Sequence, residues 1–240
     1  MAAALSCAGA AGADTFFLNY EAPTVQTTTA TFSVSGVETF DSLNNGIQSF
    51  TTDFGTGGAI TGVYTGVQIK SADKFGGAGG AGKYAVAFAA TPYSVVLTAD
   101  PIKDPQGINY YGYWLSALDA GNQVEFLKNG NVVGALDPGG VLAKIGNIPA
   151  YFGNPNPPFK GENSAQPYVF INFYDTNGTF DEVRFFESPN KGGYESDNHT
   201  VGFYTHPGGV PEPASWALMI VGLGLAGLGM RRGREAIAAV

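Results

Sequence analysis

Asn109-Tyr110-Tyr111-Gly112-Tyr113-Trp114-Leu115, then Gln123-Val124-Glu125-Phe126-Leu127-Lys128, Asn129-Gly130 and Asn131-Val132-Val133-Gly134-Ala135-Leu136, is the stretch that decides the fold. The first run is too aromatic and too short for a surface helix and reads as a strand. In the second, Val124 and Phe126 share one face, the period-two pattern of a half-buried strand. Asn129-Gly130 is the strongest short hairpin signal, because both central positions of a type I′ turn need positive φ. The chain then returns as a third strand. Ser116 to Asn122 is the loop between the first two.

The same grammar extends outward. Tyr168–Tyr174 and Asp181–Glu187 read as strands, the latter with Val183 and Phe185 opposite Arg184, and Ser196–Phe203 reads as the last strand. Upstream, Thr61–Ile69, Tyr84–Ala90 and Ser94–Thr98 alternate at period two, and Ala22–Val37 has the Thr/Val/Phe/Ser composition of exposed strands. Asn45-Gly46 marks a turn. Phe75–Gly82 holds five glycines in eight residues and reads as a flexible loop. Tyr151–Pro167 is proline-rich and reads as a long surface loop, a kind that often carries function. No amphipathic helix is expected before the C-terminal tail. Many short strands separated by turns predict an all-β, jelly-roll-like β-sandwich ectodomain over 14–208, followed by a single C-terminal transmembrane helix.

Composition narrows the functional classes. The 240 residues carry a net charge of −8, with 35 Gly, 13% aromatic and 13% charged residues. Acidic character argues against nucleic acid as a partner, since phosphate binding needs clustered Lys and Arg. The single cysteine is Cys7. The ectodomain therefore folds without disulfides, and thiol catalysis and thiolate metal sites are excluded there. Met1–Ala13 is small and apolar and ends Ala11-Gly12-Ala13, which reads as part of a signal peptide (1–13) cleaved after Ala13.

The tail is tripartite. Pro211-Glu212-Pro213-Ala214-Ser215-Trp216-Ala217 is followed by an uncharged apolar run through Met230 and then Arg231, Arg232 and Arg234. The run from 214 to 230 is 17 residues, the short end of what crosses a bilayer as a helix, and the basic cluster at 231–234 holds that end in the cytoplasm. Gly222-Leu223-Gly224-Leu225-Ala226-Gly227 matches a dinucleotide-binding pattern, but too few residues follow for a βαβ unit, so it reads as small residues in a membrane helix.

Pro211, Glu212, Pro213, Trp216 and Ala217, with the span and the basic stop behind them, resemble the PEP-CTERM sorting signal in its Pro-Glu-Pro-x-x-Trp-Ala variety, placed at 209–234. The resemblance implies a Gram-negative, exopolysaccharide-producing source and an exosortase, an integral-membrane cysteine protease or transpeptidase, as partner. It implies a membrane-anchored precursor and a mature form at the cell surface or outside the cell. The order of motifs over about 108–203, from Tyr111-Gly112-Tyr113-Trp114 to Glu195-Ser196-Asp197-Asn198, is also similar to jelly-roll ectodomains that recur in PEP-CTERM proteins.

Candidate binding residues follow. Tyr111 and Trp114 could stack on sugar rings, although alternation must bury one set of this strand. Asp119 and Asn122 could bind glycan hydroxyls or brace the turn through side-chain-to-backbone bonds. Asp197 is a candidate oxygen ligand for a structural calcium ion, without EF-hand spacing. No other cofactor is expected. Neither histidine, His199 or His206, sits in a metalloprotease motif, and no G-x-S-x-G elbow occurs. The expectation is a non-enzymatic exported surface or matrix protein that associates with exopolysaccharide or envelope glycan. The alternative is a secreted carbohydrate-active enzyme or carbohydrate-binding module on the same scaffold.

Overall fold

The computed structural model describes residues 16–205. The expected signal peptide, its cleavage point after Ala13, the motif 211–217, the span 214–230 and the cluster 231–234 lie outside the described residues. Twelve strands form among the described residues: β1 (Phe16–Tyr20), β2 (Val34–Glu38), β3 (Gly46–Thr52), β4 (Ile60–Ser71), β5 (Lys83–Ala87), β6 (Tyr93–Ala99), β7 (Tyr110–Ser116), β8 (Asn122–Lys128), β9 (Asn131–Leu136), β10 (Val169–Asp175), β11 (Glu182–Glu187) and β12 (Tyr194–Phe203). One helix, α1 (Pro138–Ile145), follows β9.

The fold is all-β, as expected, with every strand pairing antiparallel. The ladder runs β1-β10-β7-β12-β5-β4-β6-β11-β8-β9, with β2 beside β12 and β3 beside β4. β4 is the corner strand. Its first half, Ile60–Thr65, pairs with β6 and its last four residues pair with β5. Between them Gly66 has φ 71°, a backbone conformation that glycine adopts without penalty. The sheet thus turns through β4 into two layers around one core. Its two end strands approach each other: the ring of Phe16 in β1 lies 5.1 Å from that of Phe126 in β8, and a Cβ on Gly134 of β9 would sit 2.7 Å from the Phe16 ring.

The predicted hairpin is present. Asn129 and Gly130 have φ 49° and 77°, between β8 and β9. Other expectations need correction. Ala22–Val37 supplies only β2, because its polar Thr-rich part turns along the surface instead of pairing. β1 and β3 were not anticipated. Helix α1 was not anticipated either: it is short and begins Pro138-Gly139-Gly140, which hides a helical pattern. Its signals are at the ends, where the Asp137 carboxylate accepts the Gly140 N–H, Pro138 opens the first turn and Gly146 closes the last. The glycine-rich loop 75–82 includes a short 3-10 turn at Ala78–Gly80, and the Ala78 N–H is held 2.7 Å from Asp197 Oδ2.

Tyrosines, not disulfides, tie the layers together. Tyr64, Tyr93, Tyr111, Tyr113 and Tyr194 are buried around His199, which is 0% exposed. Tyr111 Oη lies 2.7 Å from His199 Nδ1, within hydrogen-bond distance, with Tyr64 Oη 3.0 Å from the same nitrogen. On the other side of the ring Nε2 lies 2.9 Å from Ser196 Oγ, which also meets Tyr93 Oη at 2.8 Å. Burial holds the imidazole neutral, with its pKa lowered to about 3. The unfolded ring takes a proton near about 6.5 that the folded ring refuses, so stability falls as pH drops from there toward about 3, by about 1.4 kcal/mol per unit. Urea midpoints of the wild type and His199→Gln, compared across that range, should differ by this slope, with the variant's profile flatter.

Candidate functional site

The β7–β8 loop, the start of β8, the N-terminus of α1 and the long 151–167 loop surround a groove of about 540 Å³. Its walls are Leu118, Pro138, Leu142, Phe152 and Pro167, and its polar groups come from Asp119, Gln123, Asp137 and Asn147. No lysine or arginine lines it. Apolar walls with a few convergent carboxylate and amide groups suit a polyol, whose rings offer C–H faces and whose hydroxyls donate and accept.

Asp119 is fixed from two sides. Its N–H donates to Asn122 Oδ1 at 2.6 Å, and its Oδ1 accepts from Gln166 Nε2 at 2.8 Å. Burial raises its pKa, against a lowering by Gln166. Asn122 is 1% exposed, and its amide donates to Glu187 Oε1 at 2.7 Å and to the Gly193 carbonyl at 2.8 Å. Glu187 Oε2 in turn accepts the N–H groups of Lys191 and Gly192. Asn122 is therefore the brace that ties the β7–β8 loop to the β11–β12 loop and does not face the groove.

Tyr111 and Trp114 take no part in a stacking platform. Both are 0% exposed. Alternation sends Tyr111 into the main core, and Trp114 into a second cluster with Ala117, Tyr168 and Phe170 under Ala78. The sequence pattern required one set to be buried; the loops 72–82 and 151–167 cover the other. Of the four candidates, only Asp119 reaches the groove. The aromatic residue that does so, Phe152, lay unremarked in the long loop, whose length was the signal available.

Asp197, the residue read as a calcium candidate, lies beneath the glycine-rich loop. It pairs with Trp114 across β12 and β7, and its Oδ1 and Oδ2 accept the backbone N–H groups of Asn198 and Ala78. Two backbone N–H groups thus hold the carboxylate in place, one on each oxygen. Burial pushes the carboxyls of Asp197 and of its neighbour Glu195 up to about 8. No group of three or more His, Cys, Asp or Glu able to hold a metal occurs among the described residues. The Ser196–His199 pair has the distance of a nucleophile and its base, but both are 0% exposed, and no substrate could reach them.

Fold and groove define a disulfide-free all-β domain with a concave site built from loops at one end. Residues 209–234 match the family model described as the PEP-CTERM protein-sorting motif. The chain thus carries the sorting signal of an exported, membrane-associated precursor handled by an exosortase. Among solved structures it is similar to the K2 cleaved adhesin domain of Lys-gingipain, at 20% identity and a TM-score of 0.40, over 72% of this chain and 99% of that one. No curated protein sequence matches the chain. No helix among the described residues is long and apolar enough to cross a membrane.

Trp114→Ala should cost about 3–5 kcal/mol of stability, the usual range for emptying a core aromatic site, read as a lowered urea midpoint in chemical denaturation.

Proposed function

We propose that the protein is a non-enzymatic surface or matrix protein, sorted by an exosortase, whose domain retains uncharged exopolysaccharide in the groove beside Asp119. The observation that carries this reading is the composition of the groove: two carboxylates, two amides, apolar walls with Phe152, and no cation. Phe152 offers a ring edge or face to a sugar, and Asp119, held by Gln166, presents a fixed acceptor to hydroxyls. Anionic polysaccharide is disfavoured by the two carboxylates and by the acidic character of the whole chain.

A second reading is a glycoside hydrolase, and one feature favours it. Two carboxylates, Asp119 and Asp137, share the groove, and burial raises the pKa of the first, the direction a general acid needs. Asp137, however, is engaged in capping α1.

The test is binding and turnover on neutral and uronate-containing polysaccharides with the full-length protein and its variants. Asp119→Asn and Phe152→Ala should each weaken binding to the neutral polymer by about tenfold, roughly 1.4 kcal/mol, with no reducing ends released. Turnover lost in Asp119→Asn would transfer the case to the hydrolase. In cells, deleting the exosortase gene should leave the 209–234 segment on the protein, read by intact mass. An identical C-terminus in both strains would refute sorting.

A further inference from the structure

The chain contains three Asp-Pro bonds, Asp100-Pro101, Asp104-Pro105 and Asp137-Pro138. Such bonds are the weakest peptide links toward acid, because the aspartate carboxyl can attack its own backbone carbonyl and the proline nitrogen is a basic leaving group. In two of the three the carboxylate is occupied. Asp100 Oδ1 accepts the N–H groups of Ile102 and Lys103, which lower its pKa, and Asp137 Oδ1 accepts the Gly140 N–H. Asp104 differs. The residue is 3% exposed, and its Oδ2 is buried without a hydrogen-bond partner.

The backbone around Asp104 is held in place. The Asp104 N–H donates to the Asp100 carbonyl at 2.8 Å, and the Gly107 N–H donates to the Asp104 carbonyl at 3.3 Å. The second bond draws charge from the carbonyl whose carbon would be attacked, the role of an oxyanion donor. Gly107 has φ 85°, which glycine adopts freely and which sets that N–H. Pro105 and Gln106 are exposed, so water reaches the bond from the leaving-group side. The charged neighbours in the loop are engaged elsewhere: Lys103 Nζ on the Gly57 carbonyl, and Asp100 in the turn described above. Desolvation alone acts on the Asp104 carboxyl, and it raises the pKa. The group therefore keeps its proton to higher pH than Asp100 does.

The geometry points to Asp104-Pro105 as a self-cleavage site, at which the folded domain cuts its own backbone in mild acid. The Asp104 carboxyl oxygen bonds to the Asp104 carbonyl carbon, and the bond from that carbon to the Pro105 nitrogen breaks. The carboxyl proton passes to the proline nitrogen, leaving a five-membered cyclic anhydride on Asp104 and a free Pro105 amine. One water then opens the anhydride and restores the side-chain carboxyl beside a new C-terminus. The net change is hydrolysis of one peptide bond, with no other reactant. The nick leaves the sheet joined, since β1, β2, β5 and β6 before the cut pair with β10, β12, β12 and β11 after it.

The experiment holds the purified full-length protein at about pH 5 and at neutral pH, folded and in urea, and follows fragments by intact mass, since ordinary aspartates lose their proton near about pH 4 and burial shifts Asp104 upward from there. The folded protein should cut at Asp104-Pro105 at least about tenfold faster than at the other two bonds, a preference of roughly 1.4 kcal/mol in barrier. Urea should erase the preference. Asp104→Asn should stop the cut, Gly107→Ala should slow it, and Asp137→Asn, at a distant Asp-Pro bond, should leave it unchanged, with circular dichroism confirming the fold of each. Equal cutting at the three bonds in the folded state, no cutting at all, or cutting that survives Asp104→Asn would overturn the assignment.

Discussion

A neutral imidazole at the centre of the core is the contact on which the two layers depend. His199 comes from β12, which pairs with β2, β5 and β7, and it receives Tyr111 from β7 and approaches Tyr64 from β4. Ser196 extends the chain of bonds to Tyr93 of β6. β4 and β6 belong to one layer, and β7 and β12 to the other. In a domain without disulfides, these bonds give a directional link across the core that apolar packing alone does not supply. Buried polar networks are favourable only when each member finds a partner. Here the ring has one acceptor nitrogen and one donor nitrogen, and hydroxyls meet both. The surrounding rings add contacts, with Phe185 stacked 5.2 Å from the imidazole and Phe40 edge-on at 4.9 Å.

The outer faces follow a different logic. Asp197 projects from β12 on the side away from the histidine, beneath the glycine-rich loop, whose Ala78 N–H it accepts. Tyr168 Oη and the amides of Asn154 and Asn163 all donate to the Lys74 carbonyl, which joins this loop to the 151–167 loop. Five glycines in eight residues suggested mobility from the sequence. In the fold they allow close approach instead: a Cβ on Gly76 would meet the Tyr84 ring at 2.5 Å. Composition reported the backbone's freedom and carried no information about what the backbone touches.

Local patterns were legible, and long-range pairing was not. The strands from Tyr110 to Leu136 declared themselves through period-two burial and Asn129-Gly130, both properties of neighbouring residues. β1 went unread because Phe16-Phe17-Leu18 follows the small apolar N-terminal segment without a turn signal, and only pairing with β10 makes it a strand. Helix α1 was hidden by Gly139 and Gly140, while Asp137 and Pro138 marked its start in a way that caps reveal and periodicity does not. Trp114 shows the limit of alternation. It correctly divides a strand into two faces, but whether the second face meets water depends on loops some 40 residues away in each direction.

The sorting tail and the groove differ in the same physical respect. An enzyme that reads Pro211-Glu212-Pro213 beside an apolar run reads a linear string, so the signal exists in the sequence itself. The groove is assembled from residues 118–123, 137–147, 152 and 165–167, which meet only because β7 and β8 lie in different layers and the chain between them must cross one end of the sandwich. Asn122 makes that crossing specific. Its side chain joins the turn after β7 to the turn before β12, so the residue that orients Asp119 is buried behind it. A sequence pattern could nominate Asp119 and Asn122 together, being three apart, but only the fold separates the one that faces solvent from the one that holds it there.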